Sequence, residues 1–91
     1  MVEVQIYTRP YCGYCRAAKA LLDDKRIAYK EMNASDPAIR QDMIQRSSGG
    51  TTVPQIFFGN VHVGGYTELA QLKRDNRLDE LLEEKTNGLA G

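Results

Sequence analysis

The chain has only two cysteines, Cys12 and Cys15, and they stand three positions apart in the run Cys12-Gly13-Tyr14-Cys15. On a first helical turn that spacing brings both side chains to one face, close enough to form a disulfide without moving the backbone. The run lies between a strand-like segment and an amphipathic one. Cys12 therefore falls at a helix N-terminus, where unpaired backbone N–H groups and the macrodipole favour negative charge. Arg9, three residues upstream, adds a positive charge. Both favour the thiolate, which is the nucleophilic form of cysteine. Cys12 is the expected attacker on a disulfide. Cys15, a turn further in and better covered, is the thiol expected to resolve the mixed disulfide so formed. A zinc site within one chain lacks ligands, because it takes four and the sequence adds to these two thiols a single histidine, His62.

Two other runs carry backbone chemistry. Thr51-Thr52-Val53-Pro54 leads directly into an apolar segment. A proline there is unremarkable if trans. If cis, it would turn the Val53 N–H and C=O outward as an edge for an extended peptide. Gly64-Gly65-Tyr66-Thr67-Glu68 combines a diglycine turn, which permits close backbone approach, with a helix start whose N–H groups suit a carboxylate.

The elements that must position these runs follow from periodicity. Residues 2–7 alternate apolar and polar types as a half-buried strand does, and Thr8, Arg9 and Pro10 break the pattern. From 13 to about 25, Cys15, Ala18, Leu21 and Leu22 recur at three and four, predicting an amphipathic helix. Residues 27–32 read as a second strand, parallel to the first across this helix. Asp36 before Pro37 predicts a capped second helix to about 46, with Ile39 and Met43 inward, ended by Ser47-Ser48-Gly49-Gly50. Residues 55–58 and 61–63 flank Gly59-Asn60 as a tight hairpin. Thr67 is the expected cap of a third helix carrying Leu69 and Leu72, and Leu78, Leu81 and Leu82 mark a short fourth. The expected fold is α/β, a four-stranded mixed sheet flanked by helices. Tyr7, Tyr29, Phe57, Phe58, Met32 and Met43 are expected to pack in the core or on the sheet. His62 has no expected catalytic role, and Glu80, Glu83, Glu84 and Lys85 form a solvated face.

At 91 residues and 42% hydrophobic, residues 1–91 are expected to form one domain with 87–91 a frayed tail. Twelve basic and twelve acidic residues balance, which argues against nucleic acid as a partner. No apolar run approaches membrane-span length and the N-terminus lacks a secretory signature, so the expected compartment is the cytoplasm.

The three runs in order, with Ile6-Tyr7-Thr8 before the cysteines and Gln55-Ile56-Phe57 after Pro54, resemble the glutaredoxin family over nearly the whole chain. The resemblance is greatest to the short bacterial dithiol members, of the glutaredoxin 3 kind. It implies a thioredoxin-like fold, a cis Pro54, and a monomeric glutathione-dependent oxidoreductase acting on disulfides and glutathionylated proteins. It also implies a glutathione site at Arg9 and Tyr14, at Thr52 and Val53, and at Gly65, Tyr66 and Thr67. There the Val53 backbone pairs with the cysteinyl part of glutathione, and Thr67 holds the glutamyl carboxylate. The chain departs from the family pattern in having Gly13 after the first cysteine, Thr67 where many relatives have Asp, and Gly50 where many carry a basic residue. Arg9, Arg40 and Arg46 are then the candidates for the glycyl carboxylate. Two other readings stand beside this one. One is a glutathione-ligated [2Fe–2S] cluster shared by two chains through Cys12, which the freer backbone at Gly13 favours. The other is a thioredoxin-like donor reduced by a flavoenzyme.

Overall fold

The structure is a computed structural model and describes residues 2–83. Its elements run β1 (Val4–Thr8), α1 (Gly13–Asp24), β2 (Lys30–Asn33), α2 (Pro37–Arg46), β3 (Gln55–Phe58), β4 (Val61–Gly64), α3 (Tyr66–Arg74) and α4 (Leu78–Leu82). The strands form one mixed sheet in the order β2-β1-β3-β4, with β1 parallel to β2 and antiparallel to β3, and β4 antiparallel to β3. This is the expected four-stranded sheet flanked by helices. The predicted 87–91 tail, with Glu84 and Lys85, lies outside the described residues.

The two inner strands are covered on both faces. On one, Val4, Ile6, Ile56 and Phe58 meet Ala18, Leu21 and Leu22 of α1, Leu69 of α3, and Leu78 and Leu82 of α4. On the other, Tyr7 and Phe57 pack with Ala34 and with Met43 of α2. Alternation along β1 and β3 thus feeds two cores, and burying each large side chain contributes roughly 1.5 to 3 kcal/mol.

Register sets where the chemistry lies. Thr8 pairs with Asn33 in β2, Tyr7 pairs with Gln55 at the start of β3, and Ile56 pairs with Gly64 at the end of β4. The segments after Thr8, before Gln55 and after Gly64 therefore leave the sheet at one edge. They are the three runs singled out in the sequence.

Asp36 caps α2 as expected, its Oδ1 accepting from the N–H groups of Ala38 at 2.8 Å and Ile39 at 3.2 Å. Two expectations need correction. The second strand begins at Lys30, not at 27: Ile27 is apolar because it closes the end of α1, its N–H donating to the Leu22 carbonyl at 2.9 Å. The third helix is capped at Gly65, whose N–H donates to Glu68 Oε1 at 2.8 Å, while Thr67 sits exposed inside the first turn. Glu68 reaches back to the N-cap N–H, the carboxylate half of a capping box, and the helix starts two residues earlier than a Thr67 cap requires.

The ends of α1, α2 and α3 share one geometry. Arg26, Ser48 and Asn76 adopt positive φ of 58°, 57° and 57°. The next N–H in each case reaches back to Leu22, Ile44 or Leu72 at 2.8–2.9 Å. This is the Schellman closure, which usually employs glycine. Arg26 sits in it against its preference, so Arg26→Gly is expected to stabilise the fold by about 0.5 to 1 kcal/mol, and Arg26→Val to destabilise it by a similar amount. Thermal unfolding of the two variants checks the opposite signs.

Candidate active site

β1 ends in Thr8, the next three residues turn the chain, and Tyr11 takes a positive φ of 61° with its ring fully exposed. Cys12 is extended and is the N-cap of α1. Its Sγ accepts the Cys15 N–H at 3.1 Å, a place usually held by a serine, threonine or aspartate oxygen. Both thiols are free, Cys12 half-buried and Cys15 buried. Cys15 packs inward because it heads the apolar stripe of Ala18, Leu21 and Leu22. Burial, and then the hydrogen bond with the Cys12 sulfur, push the Cys15 thiol up to about 11, against the pull of the Arg9 backbone and the Lys19 charge.

The Val53 carbonyl lies across from Cys12, 3.9 Å from Sγ, and the Val53–Pro54 bond is cis as anticipated. The diglycine run closes the other side. A Cβ on Gly65 would stand 3.4 Å from the Pro54 carbonyl oxygen, so the absence of a side chain lets α3 start against this loop. The Tyr14 and Tyr66 rings stack at 6.0 Å and 30°, tying the start of α1 to the start of α3. Tyr14, Thr52, Val53, Pro54, Gly65, Tyr66 and Thr67 thus belong to segments that meet around Cys12. Arg9 and Arg40 are exposed, Arg9 within a groove of about 510 Å3 that Cys12, Cys15, Arg16 and Lys19 also line.

Arg46, the third candidate anchor, is engaged with the sheet. Its Nη1 donates to Gln5 Oε1 at 2.6 Å and to the Tyr7 hydroxyl at 2.9 Å, and its guanidinium lies 4.1 Å from the Phe57 ring centre. Those donors hold α2 to the sheet. Gly50 is close-packed too: a Cβ there would come within 2.6 Å of Ser47 Oγ and 3.0 Å of Gln55 Nε2.

Some polar residues of this region escaped the sequence reading. Lys19 pairs with Glu31 at 2.9 Å, and the Thr8 hydroxyl donates to the same carboxylate oxygen at 2.6 Å. The Thr8 and Lys19 hydrogen bonds lower the Glu31 pKa, and the Glu31 bond raises that of Lys19. Gln55, buried in β3, bonds Thr52 and His62. The available signal was a lone polar residue at the head of an apolar run. His62 makes its contacts with Gln55 and Phe57 and not with the cysteines. Among the described residues no three His, Cys, Asp or Glu side chains converge as a metal site, and no helix is long and apolar enough to cross a membrane.

Residues 4–63 match the family model described as Glutaredoxin. The chain belongs to the glutaredoxin family. It is 48% identical over 80 residues to glutaredoxin 1 of Rickettsia conorii, covering 86% of this chain and 78% of that one. The solution structure of glutaredoxin from Brucella melitensis superposes with a TM-score of 0.78 at 51% identity, over 90% of this chain and 89% of its own. A buckwheat glutaredoxin–glutathione complex superposes with a TM-score of 0.79 at 30% identity, over 91% of this chain and 78% of its own. The fold is thioredoxin-like, and as a glutaredoxin the chain is a thiol-disulfide oxidoreductase.

The buried thiol carries a pH signature. The folded state keeps the Cys15 proton up to about 11, whereas an unperturbed thiol releases it near the ordinary value of 9.0. Between these values the folded state binds more protons, so stability falls as pH rises through the window. In a Cys12→Ser background the largest cause, burial, still raises the thiol pKa, so denaturant unfolding is expected to show a decline of the same sign above about pH 9, and adding Cys15→Ala is expected to flatten it.

Proposed function

We propose that this glutaredoxin reduces protein and low-molecular-weight disulfides and glutathione mixed disulfides, with Cys12 as nucleophile and glutathione as electron donor. The observation that carries the reading is the Cys12 sulfur at the cap of α1, bonded by the Cys15 N–H and facing the Val53 backbone. Negative charge on Sγ meets a helix N-terminus and a directed donor, and the sulfur is only half-buried.

In the first step the Cys12 thiolate attacks one sulfur of the substrate disulfide. One S–S bond forms to Cys12, the old S–S bond breaks, and the other sulfur leaves as a thiolate that takes up a proton. The mixed disulfide then has two exits. Cys15 loses its proton and attacks Cys12 Sγ, the mixed-disulfide bond breaks, and the substrate sulfur leaves as a thiolate that takes up a proton. Two glutathiones reduce the resulting Cys12–Cys15 disulfide. Alternatively glutathione attacks the glutathione sulfur of a Cys12 adduct and frees Cys12 with release of glutathione disulfide. Glutaredoxins poise at about −200 to −230 mV, close to the cytosolic glutathione couple, so glutathione is a competent reductant.

The convergent segments supply the binding groups. The Val53 backbone offers an edge for the cysteinyl unit, Tyr14 and Tyr66 a stacked aromatic wall, and Gly65 with Thr67 the start of α3 for the glutamyl carboxylate. Thr67 does not cap α3, so its hydroxyl is free to serve the ligand. Arg9 is the anchor best placed for the glycyl carboxylate, since it lines the groove with Cys12 while Arg46 is committed to the sheet. The buckwheat glutaredoxin–glutathione complex supports glutathione as the partner.

The decisive measurement is turnover of a glutathionylated peptide with glutathione and its reductase. Cys12→Ser is expected to fall to background, and Cys15→Ser to stay within about threefold of wild type, because only the exit through Cys15 needs the second thiol. Equal activity in wild type and both variants defeats this mechanism.

A further inference from the structure

Gln55 heads the fully buried strand β3 and is 6% exposed. Its carboxamide bridges two segments. Nε2 lies 3.0 Å from the Thr52 carbonyl oxygen and 3.3 Å from Thr52 Oγ1, while Oε1 lies 2.6 Å from His62 Nε2. A backbone carbonyl only accepts, so the NH2 end of Gln55 must face Thr52 and its oxygen must face the imidazole. His62 Nε2 is therefore the donor. The ring is held in turn by its stack on Phe57, 4.8 Å between centres and 23° between planes.

The grip on Thr52 has a consequence one atom further on. The Thr52 carbonyl and the Val53 N–H belong to a single peptide unit. The cis bond is Val53–Pro54, so the Thr52–Val53 unit is trans and planar, with its C=O and N–H pointing in opposite directions. A donor that holds the carbonyl from the sheet side turns the N–H outward. Val53 N–H makes no hydrogen bond to a described residue, and its own carbonyl faces Cys12. Among the described residues Cys12 Sγ is the side chain on the Val53 carbonyl, and Gln55 is the one that holds Thr52. Gly50 belongs to the same arrangement, since a Cβ there would crowd Gln55 Nε2 at 3.0 Å.

We propose that Gln55, oriented by His62, is a positioning residue that aims the Val53 N–H at the cysteinyl carbonyl of bound glutathione. This rests on the reading of Val53 as the glutathione edge. Neither Gln55 nor His62 bonds to a thiol, so the effect belongs to substrate binding and not to the reactivity of Cys12. Misdirecting one backbone donor weakens ligand and transition state together, which raises KM and leaves kcat in place.

The test uses the full chain in three forms: wild type, His62→Phe and Gln55→Met. The phenylalanine keeps a ring against Phe57 and removes the N–H; the methionine keeps the length and removes the amide. Steady-state turnover of a glutathionylated peptide is measured beside the rate of Cys12 alkylation by iodoacetamide. KM is expected to rise about threefold or more in His62→Phe and further in Gln55→Met, with kcat and the alkylation rate within about twofold of wild type. A merely structural role would lower the melting temperature and leave KM alone. A smaller rise in KM for His62→Phe, or one matched by a change in alkylation, overturns the proposal. If Gln55→Met does not fold, His62→Phe decides, since that side chain is exposed. If wild type itself fails to saturate with the glutathione adduct, the glutathione reading falls; if wild type saturates and the variants match it, only the role of Gln55 and His62 falls.

Discussion

The Cys12 sulfur closes the first turn of α1, and the rest of the site is arranged around that bond. An oxygen cap satisfies an orphan N–H and nothing more. A sulfur cap places a thiol where the helix presents its donors, so the group that completes the helix is also the proposed nucleophile. The helix is fixed by its buried stripe, Cys15, Ala18, Leu21 and Leu22. A core mutation that rotates α1 would therefore move the Cys12 sulfur. Packing and chemistry share one element.

The second constraint is the sheet edge. Parallel pairing of β1 with β2 and antiparallel pairing of β1 with β3 bring the end of one inner strand and the start of the other to the same side. The β3–β4 hairpin then returns the diglycine there. Segments distant in sequence meet without any one loop having to be long. Close approach does the rest, since Gly65 lies against the Pro54 carbonyl and the Tyr14–Tyr66 stack bridges two helix starts.

Much of this was legible because the signals are local. The Cys12–Cys15 spacing, the Asp36-Pro37 helix start, the Gly59-Asn60 turn and the apolar stripe of α1 each state their structure within a few residues. What was missed depends on contacts across the sheet or on a residue acting against type. Arg26 in a left-handed closure gives no glycine signal, so Ile27 was read into a strand. Arg46 looked like a free cation until Gln5, Tyr7 and Phe57 were seen to hold it. The Gln55–His62 bond pairs residues seven apart on two strands, and its meaning lies in the Thr52 carbonyl that neither composition nor periodicity identifies. Thr67 illustrates the opposite case, where a sound local rule lost to a start two residues earlier, at Gly65, whose N–H the Glu68 carboxylate accepts.

The asymmetry of the two thiols bears on which exit the mixed disulfide takes. Burial, the largest cause of the raised Cys15 pKa, persists in the mixed disulfide, so the Cys15 thiolate is a minor species there at neutral pH. Higher basicity recovers part of the loss, because nucleophilicity rises with pKa at a Brønsted slope of about 0.4 to 0.5. The balance must come from proximity, and intramolecular attack by an aligned group reaches effective molarities of about 10⁵ M and above. In the proposed mechanism Cys15 can resolve the adduct only while its sulfur stays within reach of Cys12, a geometry that α1 imposes. A substrate that pulls Cys12 toward the Val53 edge would take away that advantage and leave the adduct to an external thiol. On the proposed mechanism, engagement of glutathione at the Val53 edge and closure of the Cys12–Cys15 disulfide therefore compete for one sulfur.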